Sequence, residues 1–148
     1  MIEGSKRVFQ TSNPVVIYPS SGTGAWEAAI LNTLSPGDKV LMAETGHFAT
    51  LWRKMAEKLE LVVEFMPGDW RHGADPVAIE ARLAEDRAHA IKAVMVVHNE
   101  TSTGVTSRIP EIRRAIDQAR QYESAILLGL ARDYRSEPDR ILALHAGD

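Results

Sequence analysis

The sequence predicts an α/β fold, a mostly parallel sheet with flanking helices, on three observations. Short β-rich apolar runs alternate along the chain with stretches of helical periodicity. The strand candidates, Ala93–Val97 above all, are apolar at nearly every position, as strands covered on both faces are. The polar segments richest in Gly, Ser and Thr follow strands and precede helices, where such sheets bind ligands.

Taken in order, Val15–Tyr18 is the first strand, followed by the loop PSSGTG ending at Gly24. From Trp26, apolar residues recur at Ala29, Ile30 and Leu34 with helical spacing, until Ser35-Pro36-Gly37-Asp38 turns the chain. Val40–Ala43 is a second strand. Phe48, Leu51, Trp52, Met55 and Leu59 mark one face of a helix over His47–Leu59. Leu61–Phe65 is a third strand and Pro67–Ala74 a loop. Asp75 caps, and Pro76 opens, a helix reaching about Ala84, because proline suits the first helical position. Ala93–Val97 is the fourth strand and HNETSTGVTSR the polar loop after it. Ile109, Ile112, Ile116 and Ala119 set one face of a further helix, and Ala125–Leu130 is a fifth strand.

A chain of 148 residues suffices for one domain with a single core. Its 45% hydrophobic and 25% charged residues are ordinary for a globular protein. A net charge of -3 argues against nucleic acid as a partner. The absence of cysteine excludes disulfides, thiolate zinc sites and a cysteine nucleophile, and suits the cytoplasm. The start MIEGSKRVFQTSN has no apolar core, so it is not a secretory signal, and no apolar run is long enough to span a membrane.

Two loops carry candidate chemistry. SSGTG at 20–24 joins a strand to a helix with small residues, and a helix N-terminus offers unpaired N–H groups and a positive dipole end to a phosphate. The same residues suit a capped glycine turn, and spacing alone does not choose. HNETSTG at 98–104 offers many donors and acceptors for a polar ligand. On spacing alone, a solvated turn capping the next helix accounts for it better. Phe48 and Trp52 share a helix face and on pattern belong to the core. His98-x-Glu100 supplies two metal-ligand types without a third at a recognisable spacing, so no metal site is expected. WRHG at 70–73 suggests no mechanism.

The runs KRVFQTSNPVVIYPSSGTGAWEAAI, LSPGDKVLMAETGHFATLW, GDWRHGADP and VMVVHNETSTGV resemble the class V aminotransferases of the serine–glyoxylate and alanine–glyoxylate type, from about Lys6 to Asp117. The resemblance implies part of the large, cofactor-binding domain of the pyridoxal-phosphate transferase fold over residues 1–130, with 131–148 a non-matching tail. It also implies pyridoxal 5'-phosphate as cofactor, a homodimer, and transfer of an amino group from serine or alanine to glyoxylate. Carried over, Thr23, Gly24 and Ala25 match the phosphate-holding turn, Phe48 the aromatic residue over the pyridine ring, and Thr101 the hydroxyl residue near the cofactor's phenolic oxygen. In the family an aspartate pairs with the pyridine nitrogen. Here Leu130 stands at its place, with Asp133 about three residues late. The lysine that holds the cofactor covalently has no match among Lys6, Lys39, Lys54, Lys58 and Lys92. The expectation is therefore a truncated and inactive portion of such an enzyme. A phosphate- or nucleotide-binding module and a non-catalytic remnant are the alternatives.

Overall fold

Alternate side chains of the central strands point to opposite faces, and each face is covered by its own pair of helices. The computed structural model describes residues 2–9, 12, 14–15, 19–119, 125–129 and 141–144. Helix α1 spans Ile2–Phe9 and α2 Gly22–Thr33; β1 is Lys39–Ala43, α3 His47–Lys58 and β2 Val62–Met66. Then come α4 (Pro76–Glu85), β3 (Ile91–Val97), a short hairpin of β4 (Asn99–Glu100) and β5 (Val105–Thr106), α5 (Ile109–Ala119), β6 (Ala125–Gly129) and β7 (Ile141–Leu144). The main sheet has the order β2-β1-β3-β6-β7, and every pairing in it is parallel.

Val40 and Met42 of β1 and Ala93, Met95 and Val97 of β3 pack under α2 and α3, around Trp26, Ala29, Ile30, Ala49, Trp52 and Ala56. Leu41, Ala43, Val94 and Val96 face the other way, onto Ile79 and Leu83 of α4 and Ile109, Ile112 and Ile116 of α5. With both faces covered, polar positions have nowhere to go, hence the unbroken apolar runs. Ile91 joins the second face although Ala93 belongs to the first. The cause is a register shift between Lys39 and Val40, which pair with Ile91 and Ala93 and leave Lys92 as an extra, exposed residue.

On the first face the indoles of Trp26 and Trp52 stack at 5.0 Å and 20°. Neither buried indole N–H has a hydrogen-bond partner. Each such desolvated donor costs about 1–3 kcal/mol, so this pair is held by packing rather than polar bonding.

The predicted helix over 76–84 forms with its predicted cap, Asp75 accepting from Val77 N–H at 2.9 Å. The sequence reading assigned no element to residues 2–9, which form α1. The loop after β3 contains the β4–β5 hairpin, since Thr106 donates its hydroxyl to Asn99 and the two strands pair in antiparallel register. Of the predicted first strand, residues 16–18 lie outside the described residues, as do Leu130 and Asp133. Within the segment read as a tail, Ile141–Leu144 pairs in parallel with β6. Among the described residues no helix is long and apolar enough to cross a membrane.

Glu64 of β2 ties the sheet edge to α4. Its carboxylate receives Arg82 Nε and Nη2, the latter at 2.8 Å, and pairs with Lys39 Nζ at 2.8 Å. The Arg82 guanidinium, aided by Lys39, holds the Glu64 carboxyl below its ordinary value of 4.5. A lowered folded-state value stabilises the fold above the unfolded value, and that contribution is lost as pH falls through the folded one. Glu64→Gln is expected to lower stability by about 0.5–1.5 kcal/mol at neutral pH. In urea titrations the gap between wild type and variant should close progressively below pH 4.5; a gap unchanged down to full protonation would refute the assignment.

Candidate functional site

Where β1 and β3 lie side by side, the chain leaves their carboxyl ends in opposite directions: β1 leads to α3 on one face and β3, through the hairpin, to α5 on the other. Such a reversal opens a crevice at the sheet's end. Phe48 stands in the first turn after β1 and Thr101 at the tip of the hairpin after β3. The N-terminus of α2, with Thr23, Gly24 and Ala25, approaches the same corner, because Trp26 meets Phe48 edge-on at 6.4 Å and 74°.

The first turn of α3 is built from two distant pieces of chain. Its N-cap, Gly46, has no side chain to offer. Glu100 replaces it: the carboxylate accepts from Phe48 N–H at 3.2 Å and Ala49 N–H at 3.0 Å. Ser102 Oγ accepts from His47 N–H at 2.9 Å and donates to Glu100 at 2.6 Å, while Ser102 N–H adds a bond of 3.2 Å to the same acid. Thr50 N–H closes the first helical bond onto Gly46 at 3.1 Å. The amides of His47, Phe48 and Ala49, which a helix start leaves open, are thereby satisfied. Glu100 is 1% exposed, and the helix dipole and four donors stand where water would otherwise stabilise its charge. Gly46 is required by space: a β-carbon there would lie 2.5 Å from Glu100 Cγ and 2.7 Å from Ser102 Oγ.

The hairpin is anchored on its other side too. Ser107 Oγ donates to Val97 O at 2.9 Å and accepts from Ala74 N–H at 3.1 Å, and Thr103 Oγ1 donates to Thr45 O at 3.3 Å. HNETSTG is therefore not merely a solvated turn capping the helix that follows it; Glu100 and Ser102 cap α3, more than fifty positions earlier. Thr101 and Ser102 remain exposed. The His98-x-Glu100 pair forms no joint ligand set, since Glu100 is committed to α3.

At α2 the arrangement is the opposite. Ser21, its N-cap, makes no side-chain capping bond. Ala25 N–H donates to Ser21 O at 3.2 Å, which leaves the amides of residues 22–24 directed out of the helix end. Thr23 is exposed, and Gly24 and Ala25 are half-buried. Gly24 lies so close to Ser20 that a β-carbon would overlap the serine hydroxyl. Phe48 is half-buried, with Trp26 along one side and the His47 ring edge-on at 5.9 Å.

The matching family model, aminotransferase class-V, covers residues 3–133. The chain belongs to the class-V aminotransferase family. It is 52% identical over 120 residues to the serine–glyoxylate aminotransferase of Methylorubrum extorquens, a match covering 80% of this chain and 30% of that protein. It is 46% identical over 120 residues to the L-aspartate–glyoxylate aminotransferase of Paracoccus denitrificans, again over 80% of this chain and 30% of that protein. Among solved structures, the ureidoglycine–glyoxylate aminotransferase of Bacillus subtilis superposes with a TM-score of 0.74 at 25% identity, over 86% of this chain and 32% of that one. The chain thus spans about 30% of the length of the curated relatives it matches. The family match reaches past Asp117, where the sequence reading ended it, to residue 133.

An open cleft of about 600 Å³ lies elsewhere on the same sheet end, beyond β1 and β2, lined among others by Glu44, Asp69, His72, Asp75 and Arg108. It is a poor place for an anion. Glu44 already accepts from Trp70 Nε1 and Gly68 N–H. Asp69 holds Arg71 N–H, His72 N–H and His72 Nδ1, and the backbone bond from Arg71 keeps its carboxyl below the usual range. WRHG thus acquires a structural role, as a turn folded around Asp69 and latched to Glu44.

What the sequence reading missed is Glu100 as the cap of α3. The signal was available: a strong helix beginning Gly46-His47-Phe48 has no capping side chain of its own, so the cap must come from elsewhere. Gly46→Val is expected to push Glu100 and Ser102 off the helix end and to cost about 1–3 kcal/mol. Amide exchange should quicken first at His47, Phe48 and Ala49; unchanged exchange at these three would contradict the packing.

Proposed function

We propose that this chain forms part of the cofactor site of a pyridoxal 5'-phosphate-dependent aminotransferase that uses glyoxylate as amino acceptor, in a cytoplasmic homodimer. The observation that carries the reading is the junction where one open helix end, one half-buried aromatic ring and one exposed hydroxyl meet beside the β1/β3 reversal, in a chain of the class-V family. The residues present fit the cofactor. The amides of Thr23 and Gly24, directed out of the uncapped α2 helix, suit its phosphate, with Ala25 small enough to let it approach. Phe48 offers a ring edge-locked by Trp26, and Thr101 an unburied hydroxyl for a polar ring substituent.

When bound, the cofactor supplies an electron sink for bonds at the amino acid's α-carbon. The chain's own residues would hold and orient it: the α2 helix end its phosphate, Phe48 its ring and Thr101 a polar ring substituent. None of the five lysines stands in the family's attachment context, and four of them lie away from this place. Lys39 opens β1 and Lys92 lies near the start of β3, at the opposite end of the sheet; Lys54 and Lys58 are exposed on α3. We therefore expect these 148 residues alone to bind the cofactor reversibly and not to transaminate. The amino donor stays open, since serine, L-aspartate and ureidoglycine are named for relatives that share glyoxylate.

Titration with pyridoxal 5'-phosphate should shift the backbone amides of Thr23, Gly24 and Ala25. Phe48→Ala should weaken binding about three- to tenfold, the equivalent of one stacked ring. Shifts confined to other loops, or clear preference for a nucleotide, would overturn the reading. Borohydride reduction of the mixture should leave no stoichiometric lysine adduct; one such adduct with serine-to-glyoxylate transfer would overturn the inactivity. Light scattering should show self-association, and a single monomeric species at high concentration would count against the dimer.

A further inference from the structure

We propose that Glu100 is a positioning residue for the cofactor ring, a role that rests on the cofactor reading above. Its carboxylate bonds directly to both sides of the ring site. On one side it accepts the amide of Phe48 itself and that of Ala49. On the other it accepts the amide and hydroxyl of Ser102, and Thr101 lies between these two anchored residues in sequence. The ring face offered by Phe48 and the hydroxyl of Thr101 therefore share one rigid reference. The α2 helix end is not part of that network: the bonds to Glu100 come from residues 48, 49 and 102. Phosphate binding and ring placement are thus separable in this fold.

The chemistry requires a carboxylate of this length. Both oxygens face donors, Oε1 toward Phe48 and Ser102 and Oε2 toward Ala49. In Glu100→Gln one oxygen becomes an NH2 group opposed to an N–H, leaving donors unsatisfied on one side. In Glu100→Asp the chain is one methylene short of a helix end set back by Gly46. Either change frees the first turn of α3 to move relative to the hairpin tip.

The test measures pyridoxal 5'-phosphate and inorganic phosphate affinities side by side for the full chain, wild type and Glu100→Gln, with amide exchange at His47–Ala49. A lost helix cap is worth roughly a five- to tenfold change in an equilibrium. Pyridoxal 5'-phosphate should weaken by about that factor, while inorganic phosphate affinity stays within about twofold and exchange at the three amides quickens. If Glu100→Gln does not fold, Ser102→Ala, which keeps the carboxylate, should show the same selectivity with a smaller loss. Unchanged pyridoxal 5'-phosphate affinity overturns the proposal. So does a parallel loss of both ligands with a lower melting temperature, which marks a merely structural acid. A wild-type chain that binds inorganic phosphate but no pyridoxal 5'-phosphate overturns the cofactor reading, and this inference with it; ligand binding without selectivity in the variants overturns this inference alone.

Discussion

A buried carboxylate at the start of a helix organises this corner of the molecule. Glu100 and its neighbour Ser102 satisfy the three free amides of α3 from more than fifty residues away. Such a charge is tolerable in the interior only because hydrogen bonds and the helix dipole stand where water would be. The requirement propagates outward. Gly46 must lack a β-carbon, the β4–β5 hairpin must close to turn Glu100 inward, and Ser107 must hold the base of that hairpin to the end of β3. Two loops that leave a sheet on opposite faces are joined across the crevice they create.

The helix ends at this edge of the sheet are treated in contrasting ways. Asp75 caps α4 locally, Glu100 caps α3 from a distance, and the Ser21 side chain leaves α2 uncapped. A capped terminus has spent its donors on the protein, whereas an uncapped one keeps them for a ligand. The same logic separates the crevice from the acidic cleft beside β2, whose carboxylates are already committed to Trp70, Gly68, Arg71 and His72.

Packing behind the crevice has its own consequence for the site. Trp26 stacks on Trp52 in the core and presents its edge to Phe48, so the ring nearest the crevice is backed by two others. Aromatic groups with unpaired indole N–H groups are held by shape, and Ala29, Ala49 and Ala56 leave them room beneath α2 and α3. The position of the Phe48 ring thus follows from the packing of the core behind it.

Local pattern was enough for the sequence to determine the alternation of strands and helices, the double-sided burial of β1 and β3 and the Asp75-Pro76 helix start. Each follows from periodicity or from a cap and its helix lying adjacent in the chain. The density of family-like runs likewise carried the class-V assignment. Tertiary structure alone decided the order β2-β1-β3-β6-β7, which places the Phe48 and Thr101 loops together at a reversal. It decided that Glu100 is buried, although its polar surroundings in HNETSTG read as a solvated turn. It also latched the WRHG turn to Glu44, through Trp70 Nε1 and Gly68 N–H. The last two features depend on contacts between residues 24 to 52 positions apart. Periodicity reports which face a residue occupies, but not which distant donor waits there.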